Sequence, residues 1–324
     1  MSVYCLSLII LAPHTNVVMQ LQMNKMVSFV FGLAVFVSLF SCKTTPAGEE
    51  KKGGDESVDQ DTVSVDFSPL AQEDSLLNLL DTLRSVVMDS IVDRRFTYAG
   101  KPVAVSYPNP LTILYNDCFA LAYDEVRGAP AWVAYRVFNV EDYSTPPRPS
   151  GFLIDNRTSN RIAHGVYTHS GFDRGHMAPN FGIASRFGEL CQRETFLMTN
   201  IIPQRPALNR QWWQRLERLI AREYSENYDQ VWVITGPVYI ETGQWIGERV
   251  KIPSHNFKII QIEDKGELKV KAFLVHQEVR GNEPHETYFT TIRNIEDLTG
   301  LNFNPLWDQS IADSLERIQW LEMW

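Results

Sequence analysis

"GFDRGHMAPN", residues 171–180, sets an acid, an arginine, a glycine and a histidine side by side and then runs into a proline. In an extended chain successive side chains alternate between faces, so Arg174 and His176 share one face and Asp173 takes the other as their structural partner. Histidine has an unperturbed pKa of about 6.5 and can accept a proton near neutrality. A guanidinium beside it suits bidentate contact with a phosphate. Gly175 allows close approach to the backbone. Taken alone, a histidine in a strand reads as a core residue or a zinc ligand. The chain has no HExxH or Cys-x-x-Cys pattern, and His164 and His169 build no recognisable ligand set with His176.

The flanking sequence is strand-rich. "LTILYNDCFALAYDE" and "PAWVAYRVFNV" are β-like runs separated by the turn "VRGA", and they read as neighbouring antiparallel strands. After the opening stretch, "RETFLMTNIIPQ" reads as a buried strand, and "QVWVITGPVYI" and "LKVKAFLVHQ" as further strands. "ALNRQWWQRLERLIAREYSE" is the clearest helix, with Trp212, Leu216, Leu219 and Ile220 on one side, and "TIRNIEDLTGLNF" is another. Strands without regular strand–helix alternation predict an α+β fold, mainly an antiparallel sheet with flanking helices.

Several ordered blocks share one likeness. "FDRGHMAPN" followed by "TNIIPQRPALNRQWWQRLE", with "PAWVAY" before and "VWVITGPV", "IPSHNFKII" and "TIRNIEDLTGLNF" after, resembles the DNA/RNA non-specific endonucleases, the family of the Serratia nuclease and mitochondrial endonuclease G. The resemblance spans roughly residues 110 to 310 and implies a ββα-metal active site that hydrolyses phosphodiester bonds in DNA and RNA. It implies His176 as general base, Asn209 as the metal residue, Mg²⁺ as the ion with Mn²⁺ able to substitute, and products with 5′-phosphate ends. An amide oxygen is a hard neutral ligand suited to an ion that keeps most of its waters; Asn209 equally reads as a helix cap.

Glu217 lies eight residues beyond Asn209, about 12 Å along a regular α-helix and about 80° round it. That separation argues against shared ligation and for a role in ordering a metal-bound water or the surroundings of Asn209. Arg174 reads as a clamp on the scissile phosphate. Arg148, in "PPRPSGFLID", falls about where the family has another phosphate-binding arginine and equally reads as a surface loop residue. Trp212 and Trp213 could stack bases, but adjacent helix positions face differently, so at least one belongs to the core. Asn180, where small residues are common in the family, has no assigned role.

The 324 residues, 44% hydrophobic, are enough for one large domain or two modest ones. "MNKMVSFVFGLAVFVSLFSC", residues 23–42, has one lysine, an apolar run of about 15 residues and a closing cysteine. The run is short for a spanning helix and has the layout of an export signal. "LFSC" resembles the lipobox of bacterial lipoproteins, which implies a lipid on Cys42, a place in the cell envelope facing the periplasm or the surface, and a true start at Met19 or Met23. Residues 43–73, rich in Gly, Ser, Asp and Glu, read as a disordered acidic tether. Residues 74–105 read as a lead-in helix and linker, and 106–324 as the nuclease domain.

Residues 43–90 hold four basic and eleven acidic side chains, net −7, and residues 91–324 carry −3 of the total −9. Attraction for nucleic acid is therefore local rather than global. Two other classes compete with the enzymatic reading: a non-catalytic nucleic-acid-binding envelope lipoprotein on a nuclease scaffold, and a zinc hydrolase, which the missing ligand pattern disfavours. Cys118 and Cys191 could pair in an oxidising compartment, but spacing alone does not show it.

Overall fold

The computed structural model describes Leu79, Leu80, Leu83 and residues 95–240 and 243–324. The export signal, Cys42 and the acidic tether lie outside the described residues. Of the lead-in helix, Leu79, Leu80 and Leu83 are helical, with exposed side chains. Among the described residues no helix is long and apolar enough to cross a membrane.

Among the described residues there are thirteen strands. They are β1 (Val103–Ala104), β2 (Thr112–Tyr115), β3 (Phe119–Asp124), β4 (Ala129–Val137), β5 (Asp173–His176), β6 (Ile201–Gln204) and β7 (Val231–Val238). Then come β8 (Trp245–Ile246), β9 (Val250–Lys251), β10 (His255–Asp264), β11 (Glu267–His276), β12 (Phe289–Thr290) and β13 (Leu301–Asn302). Seven build one antiparallel sheet in the order β12-β11-β10-β7-β4-β3-β2. β10 and β11 are joined by Lys265 and Gly266, both at positive φ (53° and 81°), the backbone that a two-residue hairpin turn demands.

Strand alternation sends two sets of side chains to opposite faces. Val133, Tyr135 and Val137 of β4 join one cluster with Trp212, Trp213 and Leu216, while Trp132 and Ala134 join a second with Phe257, Ile292 and Phe303. The sheet is therefore covered on both sides, and its strands are apolar almost throughout. Four helices do the covering: α1 (Asn180–Thr195), α2 (described below), α3 (Ile292–Thr299) and α4 (Gln309–Leu315). β1 pairs with β13, so part of the expected linker belongs to the body.

The α+β architecture agrees with the sequence reading, with two local differences. "LTILYNDCFALAYDE" is a hairpin, β2 and β3, turned at Asn116 with its amide donating to Phe119 O. Only Ile201–Gln204 of "RETFLMTNIIPQ" is strand; its first residues end α1, and Met198–Asn200 is a 3₁₀ turn. Side chains compete with the ladder there: Asn200 donates to the carbonyls of Ala178 and Thr195, and Thr199 donates to Asp155.

A disulfide joins Cys118 of the β2–β3 turn to Cys191 of α1, with Cα atoms 5.8 Å apart and a sequence separation of 73. Closing a loop of that length removes enough unfolded-state entropy to stabilise the fold by roughly 4 kcal/mol.

Candidate active site

β5 pairs with β6 in a separate two-stranded ribbon, Arg174 opposite Pro203 and His176 opposite Ile201. The chain leaves β6 and enters α2 almost at once. This helix is π-helical over Leu208–Trp213, α-helical over Gln214–Leu219, π-helical again over Ile220–Tyr224, and ends with Ser225–Asn227. β5, β6 and α2 form a ββα unit. Wide π turns occur frequently at functional sites, and here the turn has a geometric effect. A turn that closes one residue late takes about 100° from the 80° expected between Asn209 and Glu217, and the two line one cavity.

That cavity, of about 510 Å³, brings together all five predicted residues, His176, Arg174, Asn209, Glu217 and Arg148. They come from β5, from α2 and from the loop between β4 and β5. Arg148 is exposed, but its guanidinium lies 4.8 Å from the centre of the Phe196 ring. The His176 ring packs against the same Phe196 at 5.0 Å and Phe152 at 5.4 Å. Its Nε2 is buried without a hydrogen-bond partner. Burial, with the Arg148 charge adding, pushes His176 down to about 3 and so favours the neutral ring that can accept a proton.

Asp173 points away from the cavity, as strand alternation requires, and grips α2. It accepts from Asn209 Nδ2 at 3.0 Å and from Arg210 Nε and Nη2 at 2.7 and 2.6 Å. Burial works to raise the Asp173 carboxyl, but these bonds outweigh it and hold the group below its usual range. A carboxylate only accepts, so it fixes the Asn209 amide with its NH₂ inward; the amide oxygen is left for the cavity. Asn209 is therefore held by a side chain, and it caps no helix end.

Arg174 donates through Nε and Nη2 to His164 O at 3.1 and 2.5 Å. Nη2 also donates to Thr168 Oγ1 at 3.4 Å, so an anion in the cavity would meet the remaining nitrogen, Nη1. Gly175 faces the opposite way, where an added Cβ would lie 2.2 Å from Gln204 Oε1 and 2.7 Å from its Cγ. The close approach expected at this glycine is therefore to a buried side chain. Trp212 and Trp213 are both buried in the core and neither reaches the cavity.

Arg210, Arg218, Arg222 and Asn180 also line the cavity. The "DRGH" stretch and its family likeness had pointed to Arg174 and His176, but exposed arginines on a helix give no sequence signal of their own. Arg222 lies 4.0 Å from the Tyr143 ring centre and 5.0 Å from that of Phe181. Glu217 Oε1 is buried, without a hydrogen bond, 3.6 Å from Lys258 Nζ. Burial raises the Glu217 carboxyl and lowers the Lys258 ammonium.

The donor set suits a hard, hydrated cation. The Asn209 amide oxygen, the Glu217 carboxylate and the Asn180 Oδ1, itself buried and unpartnered, are oxygen acceptors on residues that line the same cavity. Among the described residues no three of His, Cys, Asp and Glu gather to hold a metal. Arginines around a neutral histidine and a few oxygens make a site that can bind a phosphate, neutralise added negative charge and accept a proton.

Comparison with known proteins agrees with that class of site: residues 101–310 match the family model of the DNA/RNA non-specific endonucleases. The chain belongs to this family. It is 31% identical to the mitochondrial nuclease EXOG of Homo sapiens over 65% of this chain and 63% of EXOG, so it spans less than two thirds of that relative. It is 30% identical to human mitochondrial endonuclease G, over 64% of this chain and 74% of that protein. A nuclease from Nostoc sp. is 27% identical over 67% of this chain and 83% of its own length. The solved structure of endonuclease G in complex with its inhibitor EndoGI superimposes with a TM-score of 0.55 at 23% identity, covering 63% of this chain and 89% of that one, a likeness of fold.

Proposed function

We propose that the protein is a metal-dependent endonuclease that hydrolyses phosphodiester bonds in DNA and RNA with little sequence preference. The observation that carries this reading is the single cavity in which His176 of β5, Asn209 and Glu217 of α2, and Arg148 and Arg174 meet. His176, whose ring lines the cavity, takes the proton from the attacking water. Arg174, through Nη1, and Arg148 hold the scissile phosphate and oppose the charge that builds on it. Asn209 would hold the divalent ion through its amide oxygen, and Glu217 would orient a water on that ion. Mg²⁺, or Mn²⁺ in its place, supplies Lewis-acid stabilisation of the phosphate and the leaving oxygen when bound. Cleavage that leaves the phosphate on the 5′ end follows if the 3′ oxygen departs.

A site that grips phosphate rather than base edges has little means of reading sequence. Export, a lipid on Cys42 and residence in a bacterial envelope complete the proposal, on the strength of the "LFSC" resemblance. The test is direct. Protein lacking residues 1–42 should degrade plasmid DNA and RNA with Mg²⁺, stop when chelator is added, and lose about 10²- to 10⁴-fold in rate in His176→Ala, the usual worth of a general base. Binding without cleavage under every divalent ion would refute the hydrolytic reading and leave a nucleic-acid-binding protein on a nuclease scaffold.

A further inference from the structure

Lys258 stands in the middle of β10, in the centre of the seven-stranded sheet, and its side chain is 0% exposed. It lies on the face that packs against α2, between Thr235 of β7 and Phe273 of β11, where the next residues on the same face are Ile260 and Ile262. An ammonium there gives up its hydration at a large cost in free energy. Its surroundings replace little of what it loses. Nζ is 3.3 Å from the Tyr135 hydroxyl, 4.5 Å from the Trp213 ring centre and 3.6 Å from Glu217 Oε1. Arg186, which also interacts with Tyr135, spends its donors on Phe138 O, Ser185, Ala221 O and Ser225.

As a stabilising device this pair is poor, because apolar residues of similar volume commonly replace a buried ion pair with no loss of stability. Its placement offers a better reason. Glu217 is the group that joins the two environments, since its carboxylate touches the buried lysine and also lines the arginine-rich cavity. We propose that Lys258 is a positioning residue of this site: from beneath, it anchors one oxygen of the Glu217 carboxylate and leaves the other oxygen to the cavity as a fixed negative group. The proposal rests on the reading of Glu217 given above. It assigns a task to a side chain that does not line the cavity and reaches it only through Glu217, on a strand with no other part in the chemistry. Burial alone drives both groups toward their neutral forms, and each one's charge sustains the other's.

The experiment is a double-mutant cycle in the full-length protein with Lys258→Met and Glu217→Gln, and Lys258→Arg as the charge-retaining control. It is read by single-turnover cleavage of a duplex oligonucleotide and by Mn²⁺ binding in calorimetry. Lys258→Met and Glu217→Gln should each lower rate or Mn²⁺ affinity about 10- to 100-fold, the usual effect of removing a group that orients a metal's surroundings. The double variant should fall no lower than Glu217→Gln alone, and Lys258→Arg should stay near wild type. Additive losses, or a folded Lys258→Met that cuts and binds Mn²⁺ as wild type does, overturn the proposal. Should Lys258→Met not fold, Lys258→Met/Glu217→Gln, which leaves no unpaired buried charge, is compared with Glu217→Gln, and any further loss overturns it. A wild type that never cleaves but whose Mn²⁺ affinity follows the same cycle would refute the hydrolytic reading while upholding the positioning role.

Discussion

His176 sits against two phenylalanine rings with Nε2 unpartnered, and its folded pKa, about 3, lies far below the ordinary histidine value. When a folded pKa is depressed, the unfolded chain takes up the proton first, so its stability contribution is intact above about pH 6.5 and drains away as pH falls toward the folded value. Thermal melts of wild type and His176→Asn at pH 7 and pH 4.5 should therefore show the wild type losing ground to the variant in acid; a constant difference would mean that the ring titrates normally in the fold. Much of this site was legible in the letters. Alternation within "DRGH" separated Arg174 and His176 from Asp173, and the structure shows the reason for the split: Asp173 is bonded to Asn209 and Arg210 on the helix behind. Lys258 was illegible, because a lysine inside "HNFKIIQIED" gains meaning only when the strand's position beneath Glu217 is known.

β5 and α2 hold the site in register, and the contact between Gly175 and Gln204 fixes the spacing of the ribbon. Gly175→Ala would drive a methyl group into Gln204, a fully buried side chain, from Oε1 to Cγ. Overpacking of this kind costs about 1–3 kcal/mol, so the urea midpoint should fall and nuclease activity fall with it. An unchanged midpoint would mean that Gln204 finds another rotamer without cost. Helix α2 was recognisable from its apolar stripe, but its two π segments were not, since an i→i+5 turn leaves no periodic mark over six residues. Regular α geometry consequently overstated the angle between Asn209 and Glu217. Helix α1 escaped the sequence reading for a related reason: it is interrupted at Gly188, where φ is 80°, and neither half is long enough to show a clear period. β10 escaped because its sheet is covered on both faces, which replaces alternation with an almost continuous buried run holding Lys258 and Gln261.

Across the whole molecule the net charge is −9, yet one cavity collects Arg148, Arg174, Arg210, Arg218 and Arg222. Arg210 is neutralised by Asp173, which leaves four guanidinium groups for phosphates. Each phosphate neutralised on duplex DNA contributes about −0.9 to the log–log slope of affinity against salt, so four predict a slope of about −3.6. Titrations of catalytically silent His176→Ala with duplex DNA from low to moderate salt would measure it, and a slope near zero would show that the arginines do not meet phosphate. The acidic residues 43–73, which contribute much of that negative charge, lie outside the described residues. The bridge between Cys118 and Cys191 also acts on the whole molecule, through time. Thiols stay reduced in the compartment where a chain is made and pair once it reaches oxidising surroundings. On the proposed export route, a newly made chain, still lacking the bridge's stabilisation, is the form most open to proteases, and it would harden only after leaving the compartment where it is made. For a protein whose proposed activity threatens its maker's own nucleic acid, that order of events keeps the perishable form at home and sends the durable one out.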